Sequence, residues 1–284
     1  MDFIEKGSLS RREFFEKGAA AFAIACTAQT LTFGKPRIPI ALQLYSVRHE
    51  FGKDQPGTLA DVAKMGYQGV EFAGYFNRKA EELRKMLDDN GLKCCGTHLS
   101  LDALMGDNLA RTIDFNRTMG NKLLIVPGLP PKRVATHEAW VENARVFTEL
   151  AEKVKPQGMR VGYHNHQTEF KALGGEQPFD TFFGHTPKDV IMQLDVGTAL
   201  EAGMDPVALI KKYPGRTATI HVKEYSKANP KAYVGEGDAK WRDIFKVLEK
   251  QKATDWYIVE YEIEGMPPMQ SVLRCLQNLR KMGK

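Results

Sequence analysis

Short apolar, β-rich segments alternate with helical segments from residue 37 to the C-terminus, and this alternation restricts the fold more than any other feature. A 3.6-residue apolar period marks helices, for example at Trp140, Ala144 and Phe147. Strands that alternate with helices pair in parallel and are covered by those helices. The strand segments are residues 38–45, 69–73, 93–101, 122–126, 160–164, 190–195, 218–223 and 256–260. Eight such units in about 250 residues predict an α/β fold, a single-domain (β/α)8 TIM barrel over residues 36–284.

A doubly wound open sheet is the alternative architecture. That fold usually carries a glycine-rich phosphate loop after its first strand. Here the sequence Tyr45-Ser46-Val47-Arg48 stands in that place, which argues against the open sheet.

Polar residues occur where barrel strands should be apolar. A spacing of two places both members of a pair on the same face of a strand, and the C-terminal strand ends carry the active site of a TIM barrel. The pairs are His164 and His166, Gln193 and Asp195, His221 and Lys223, and Glu260 and Glu262, with Glu71 and His98 added by the second and third strands. We therefore expect these side chains to converge at one mouth of the barrel.

The residue types at this mouth predict a metal. Buried ionisable groups are costly unless they are paired or bind an ion. A mixture of imidazole and carboxylate suits Mn, Co, Zn or Fe, whereas oxygen ligands alone would suit Mg or Ca better. One divalent metal ion is the predicted cofactor.

The charge distribution argues against nucleic acid as a partner. The formal net charge is +5, with 26% charged residues, and the basic residues are scattered through the chain. A nucleic-acid binder usually concentrates them on one face. After the N-terminus, no apolar stretch approaches the roughly 20 residues needed to span a bilayer.

The first 35 residues predict a targeting segment that is not part of the fold. Residues 10–15 resemble a twin-arginine export signal through Arg11 and Arg12, and a short apolar stretch follows at residues 18–28. Ala23 and Ala25 offer the spacing that a signal peptidase reads. We predict a signal peptide with a short linker over residues 1–35, and a periplasmic mature protein. Acylation of Cys26, as in a lipoprotein, is the alternative and would be the protein's membrane contact.

Three segments resemble the sugar phosphate isomerase/epimerase superfamily, whose members have a xylose-isomerase-like TIM barrel. They are residues 42–48, residues 162–170 with the pattern HNHxxEF, and residues 194–197. The HNHxxEF pattern is the most specific of them. The resemblance covers residues 37–284 in order.

The resemblance implies a metal site built from strands five to eight. Its ligands would be His164 or His166 from strand five, then Asp195, His221 and Glu260. Ketose epimerases of the superfamily carry a catalytic Glu on strand five, where this sequence has His164. Inosose-dehydratase-like enzymes have an imidazole there. The resemblance thus favours a lyase or hydratase acting on a keto-sugar over simple epimerisation, with a ketose isomerase/epimerase as the alternative.

The reactions of these enzymes share one step, in which a proton leaves the carbon next to a sugar carbonyl. A base must lie within hydrogen-bond reach of that proton, and Glu169 or Glu260 is the predicted base. Lys223 is predicted to steady the oxyanion or to protonate a leaving oxygen; a structural ion pair with Glu262 or Glu71 is the alternative for this residue. The predicted substrate-binding residues are Glu71, His98, His166 and Glu262.

The predicted substrate is a small, unphosphorylated carbohydrate, because the sequence has no glycine-rich phosphate loop and no Arg pair at a strand end. DNA-repair endonucleases share the barrel, but they need more His ligands than the seven His of this chain allow, and a basic face. A non-catalytic periplasmic sugar-binding protein is the remaining rival, and it would not need converging ionisable ligands. The sequence does not decide the oligomeric state.

Overall fold

Eight parallel strands close into one barrel in the computed structural model, which describes residues 37–284. The strands are β1 (Ile40–Gln43), β2 (Gly69–Ala73), β3 (Lys93–His98), β4 (Leu123–Val126), β5 (Arg160–His164), β6 (Ile191–Asp195), β7 (Thr219–Val222) and β8 (Trp256–Val259). Each pairs with its sequence neighbour, and β1 pairs with β8 to close the ring. The predicted TIM barrel and all eight predicted strands are confirmed.

The strands are buried over nearly their whole length. All four residues of β1, of β4 and of β7 are buried, as expected for parallel strands covered by helices. Lys223 and Glu260, which the sequence placed inside strands, lie directly after β7 and β8. Both therefore stand in the loops at the C-terminal mouth of the barrel.

Ten α-helices among the described residues surround the barrel. They are α1 (Arg48–Lys53), α2 (Gln55–Met65), α3 (Ala80–Asp89), α4 (Asn108–Met119), α5 (His137–Val154), α6 (Pro178–Gly184), α7 (Val196–Glu201), α8 (Pro206–Lys212), α9 (Trp241–Gln251) and α10 (Pro268–Lys281). α9 buries Trp241, Ile244, Phe245 and Leu248, the residues whose period predicted it. None of the helices described here is both long and apolar enough to cross a bilayer.

Residues 38–284 form one compact unit, in agreement with the predicted single-domain barrel. The predicted signal peptide and linker at residues 1–35, with Arg11, Arg12 and Cys26, lie outside the described residues. The predictions of export, of a periplasmic location and of a lipid anchor therefore stay predictions.

Candidate functional site

Four ionisable side chains meet at the C-terminal mouth of the barrel. His164 ends β5, Asp195 ends β6, His221 lies in β7 and Glu260 follows β8. Each offers one ligand atom, and these four atoms lie within 4.8 Å of one another. All four residues are buried. The structure thus brings together the four residues that the sequence predicted as metal ligands, and we call them the four-residue group.

Two atoms of the four-residue group have no hydrogen-bond partner. Nδ1 of His164 and Oδ2 of Asp195 are two of the five buried side-chain atoms without a partner in the part of the chain that the structure describes. Oδ1 of Asp195 accepts a hydrogen bond from the backbone N–H of Thr198 at 2.8 Å, which caps α7 and fixes the carboxylate. Oδ2 lies 3.9 Å from Nε2 of His164. These two buried atoms have free lone pairs and no hydrogen-bond partner. Such atoms suit a metal ion held about 2 Å from each ligand.

Burial and charge set the protonation of this pair. Burial lowers the pKa of His164 well below its usual value, and the neighbouring His221 lowers it further. The neutral ring keeps a lone pair for a ligand. Burial raises the pKa of Asp195 to about 6, against the opposing effect of Lys223. A divalent cation here would compete with a proton for Asp195.

His221 bridges two carboxylates. Its Nδ1 lies 2.7 Å from Oε2 of Glu260, and its Nε2 lies 2.7 Å from Oε2 of Glu71. Burial alone would lower the pKa of His221, but Glu260 and Glu71 outweigh burial and raise it to about 10. If His221 and Glu260 both bound one ion, the hydrogen bond between them would be exchanged for that ion. Glu71 would then hold the other nitrogen, which is the usual arrangement of a carboxylate behind a metal-binding histidine.

Glu71 lies beneath the mouth and not in it. Its side chain is fully buried, and it accepts hydrogen bonds from Gln43 and Gln193, each at 2.7 Å, as well as contacting His221. β3 makes room for it, because a Cβ at Gly96 would lie 2.5 Å from Oε1 of Glu71. The contact of Glu71 with sugar hydroxyls stays a prediction, and both of its oxygens already contact protein donors.

His98 lies at the edge of the site. Its Nε2 is 2.7 Å from Oε1 of Gln193 and 3.2 Å from Oε2 of Glu71, and its ring stacks on that of His221 with centroids 5.4 Å apart. With His164 and His221 it forms a second, overlapping group of ligand atoms within 4.8 Å. Its side chain is partly exposed, and its contact with substrate stays a prediction.

Lys223 is held over the four-residue group by carboxylates. It forms an ion pair with Glu262, and its Nζ lies 3.9 Å from Oδ2 of Asp195 and 4.0 Å from Oε2 of Glu260. Burial lowers the pKa of Lys223, but the three carboxylates outweigh burial and raise it. Lys223 therefore carries a positive charge. The alternative of an ion pair with Glu262 is present in the structure, and it leaves the ammonium facing the mouth.

A cavity of about 610 Å³ opens over these groups, and we call it the site pocket. Its wall includes Tyr45, His98, His164, His166, Lys223 and Glu262. The exposed ring of His166 stands nearly perpendicular to the ring of His164, with centroids 5.1 Å apart. A cavity of equal volume between α8 and α9 is lined by lysines and aspartates and lacks such a cluster. The chemistry thus favours the site pocket.

Glu169 is not in the site pocket. Its carboxylate accepts hydrogen bonds from the backbone N–H of His166 at 2.6 Å and from the hydroxyl of Tyr163 at 3.0 Å. These bonds close a short 3₁₀ turn, Gln167–Phe170, and leave the buried carboxylate facing a neighbouring cavity. The role of Glu169 as the base stays a prediction, with its carboxylate placed at the neighbouring cavity in this structure.

The sequence argument gave no site role to Gln43 and Tyr45, and it placed Gln193 at the mouth without assigning it a function. The two glutamines fix Glu71, and they could have been found as amides on the inward face of otherwise apolar strands. Tyr45 follows β1 and is 44% exposed at the wall of the site pocket, where an aromatic side chain was a usable signal.

Comparison with known proteins places this geometry in a family. Residues 59–282 match the family model of the xylose isomerase-like TIM barrel. The chain belongs to this family. This match confirms the superfamily that the sequence segments indicated.

Relatives within the xylose isomerase-like barrels include dehydratases and isomerases. The inosose dehydratase of Histophilus somni (strain 129Pt) is 24% identical over 279 residues, which cover 82% of this chain and 92% of that protein. The inosose dehydratase of Clostridium perfringens (strain 13 / Type A) is 23% identical over 242 residues, covering 72% and 81%. A sugar phosphate isomerase/epimerase from Parabacteroides distasonis ATCC 8503 has a TM-score of 0.75 and 26% identity, covering 86% of this chain and 98% of its own.

Proposed function

We propose that this protein is a metal-dependent lyase that removes water or an alcohol from a keto-sugar after taking the proton next to its carbonyl. The observation that carries the proposal is the four-residue group, with its unpartnered Nδ1 of His164 and Oδ2 of Asp195 under the site pocket. A purely sugar-binding protein gains nothing from such a costly buried cluster. The curated relatives named inosose dehydratase support the same class of reaction.

His164, Asp195, His221 and Glu260 would hold the ion. The donor set fits a cation of the Mn, Co, Zn or Fe kind. Such an ion supplies a Lewis acid for the carbonyl and the neighbouring hydroxyl of the substrate. Glu71, Gln43 and Gln193 keep His221 in place from below.

His166 is the base that we propose for the proton transfer. Its exposed ring lines the site pocket. Glu169 acts through the backbone of His166, since its carboxylate closes the turn that presents the ring. The proton leaves the carbon next to the carbonyl and passes to the imidazole.

Lys223, which follows β7, is the acid that we propose. Its ammonium, oriented by Glu262, gives a proton to the oxygen that leaves the β-carbon, so that water or an alcohol departs. One base and one acid suit elimination better than an epimerisation with two bases. Tyr45, His98 and Glu262 remain for contacts with sugar hydroxyls.

Solvent exchange tests the reaction. In deuterated water, the enzyme with added Mn²⁺ should exchange the proton next to the carbonyl of inososes or other keto-sugars and then release water. The predicted export of this protein to the periplasm favours an unphosphorylated substrate. Rapid, reversible 3-epimerisation of an unmodified ketose would replace the lyase by an epimerase, and binding of sugars with neither exchange nor turnover would favour the sugar-binding protein.

A further inference from the structure

A second cavity adjoins the site pocket, and we call it the side cleft. It has a volume of about 390 Å³ and lies between the loop after β4 and the segment from the 3₁₀ turn Gln167–Phe170 to α6. Both cavities are bordered by Pro127, Gly128 and His166. The two cavities therefore meet at these three residues, beside His166.

The side cleft is bordered by both apolar and polar side chains. Its larger apolar and aromatic wall residues are Leu129, Val134, Trp140, Tyr163, Leu173 and Pro178, and its polar ones are His166, Thr168, Glu169 and Lys171. Trp140 and Tyr163 pack edge to face with ring centroids 5.8 Å apart and are only 2% exposed, so they form a rigid floor.

The side cleft has two charged wall residues besides His166, the exposed Lys171 and the buried Glu169, and the carboxylate is already engaged. The carboxylate of Glu169 already accepts from Tyr163, from Thr168 and from the backbone of His166. A second sugar ring, which needs free donors and acceptors for its hydroxyls, would leave many of them unpaired here. An apolar group loses nothing in the same place and gains from leaving water.

The volume of the site pocket supports the same conclusion. The site pocket alone lies within the range of about 300–1,000 Å³ that is usual for small-ligand pockets. It holds a sugar ring without help from the side cleft. The side cleft is additional space that borders the site pocket at His166.

We propose that the side cleft binds an apolar substituent, an aryl or alkyl aglycone, of a glycoside whose sugar ring occupies the site pocket. This inference rests on the proposed function, because it places the sugar over the four-residue group. It narrows the substrate class from free keto-sugars to glycosides with an apolar aglycone.

Equilibrium binding tests the proposal without requiring turnover. Isothermal titration calorimetry with phenyl and methyl β-glucosides, and with the matching β-galactosides, should show at least about tenfold tighter binding of the phenyl compound, since burial of one aromatic ring contributes that much. Ala172→Trp should abolish the preference, because residue 172 is exposed at the wall of the side cleft and a large ring there fills it. Leu129→Trp should do the same from the opposite wall.

Ala228→Trp is the matched control, since Ala228 is equally exposed in a loop and lines neither cavity. It should keep the phenyl preference. Equal affinity of wild type for phenyl and methyl glycosides overturns the side cleft as an aglycone site but leaves the proposed function standing. A phenyl preference that survives both Trp substitutions overturns it as well. Failure of every glycoside to bind at millimolar concentration also overturns the aglycone site, whereas the proposed function is tested separately by solvent exchange on keto-sugars.

Discussion

His166 and Glu169 lie in one short turn, and the structure separates their roles. We expect His166→Gln to lower turnover by about 10² or more, because the group that takes the proton is lost, while the bound metal stays. Glu169→Gln should lower turnover less than tenfold, since an amide oxygen can still accept from the backbone of His166. Steady-state kinetics with metal analysis of both variants checks this. A larger loss for Glu169→Gln than for His166→Gln would favour Glu169 as the base.

The spacing of these two residues also shows a limit of reading the sequence. A Glu three residues after the start of a helical turn is a capping signal as well as a catalytic candidate. The pattern HNHxxEF fits both roles. The direction of the carboxylate decides between them, and that direction follows from the hydroxyl of Tyr163, whose position depends on packing against Trp140.

Loss of a single ligand should remove the metal. His164→Ala deletes an imidazole from the four-residue group, so we expect the metal content to fall from about one ion per chain to near zero. The exposed His185 lies outside the group, and His185→Ala should retain the full metal content. Elemental analysis of both proteins, purified in parallel, measures the difference. Full metal content in His164→Ala would exclude this residue as a ligand.

At the scale of strands and helices, the sequence predicts more of the barrel than of its site. Continuous apolar runs such as that of β4 locate the strands, because burial on both faces excludes polar residues. The spacing of two then predicts convergence of His164, Asp195 and His221. Depth along the barrel axis is not encoded in that spacing. Glu71 lies low because the pairing of β2 with β3 shifts register between Val70 and Glu71 and sets Glu71 opposite Gly96.

The pairing of β2 with β3 gives a prediction of its own. Gly96→Ala places a Cβ 2.5 Å from Oε1 of Glu71, so the carboxylate must move and its contact with His221 weakens. We expect a loss of about 1–3 kcal/mol in the free energy of unfolding and about 10–100-fold weaker metal binding. Chemical denaturation and metal titration measure the two effects.

Gly184→Ala provides the control for that substitution, since nothing lies within 4 Å of the added Cβ. It should change the free energy of unfolding by no more than about 0.5 kcal/mol. A Gly96→Ala protein that matches this control in both measurements would show that Glu71 does not depend on the space beside Gly96.

At the scale of the whole molecule, the N-terminal segment predicts where the barrel works. Replacing Arg11 and Arg12 with Lys should retain the precursor in the cytoplasm, because the twin-arginine pathway reads that pair. The wild-type precursor should be cleaved so that the mature chain begins between Cys26 and about residue 35. Fractionation and N-terminal sequencing test both points. Normal export of the double variant would exclude the twin-arginine pathway.

The stability of the whole barrel should respond to the metal without depending on it. The apolar core is independent of the mouth, and His221 is paired with two carboxylates even when no ion is bound, so the chelated protein should stay folded. An ion that binds only the folded state at 100 times its Kd stabilises that state by about 2.7 kcal/mol. For a domain of this size, each kcal/mol raises Tm by about 2–4 °C, which gives an expected rise of about 5–10 °C on adding Mn²⁺ to chelated protein. Calorimetry should show this rise in wild type and not in Asp195→Ala, which lacks the carboxylate with the unpartnered oxygen. An equal rise in both proteins would mean that the ion binds somewhere other than the four-residue group.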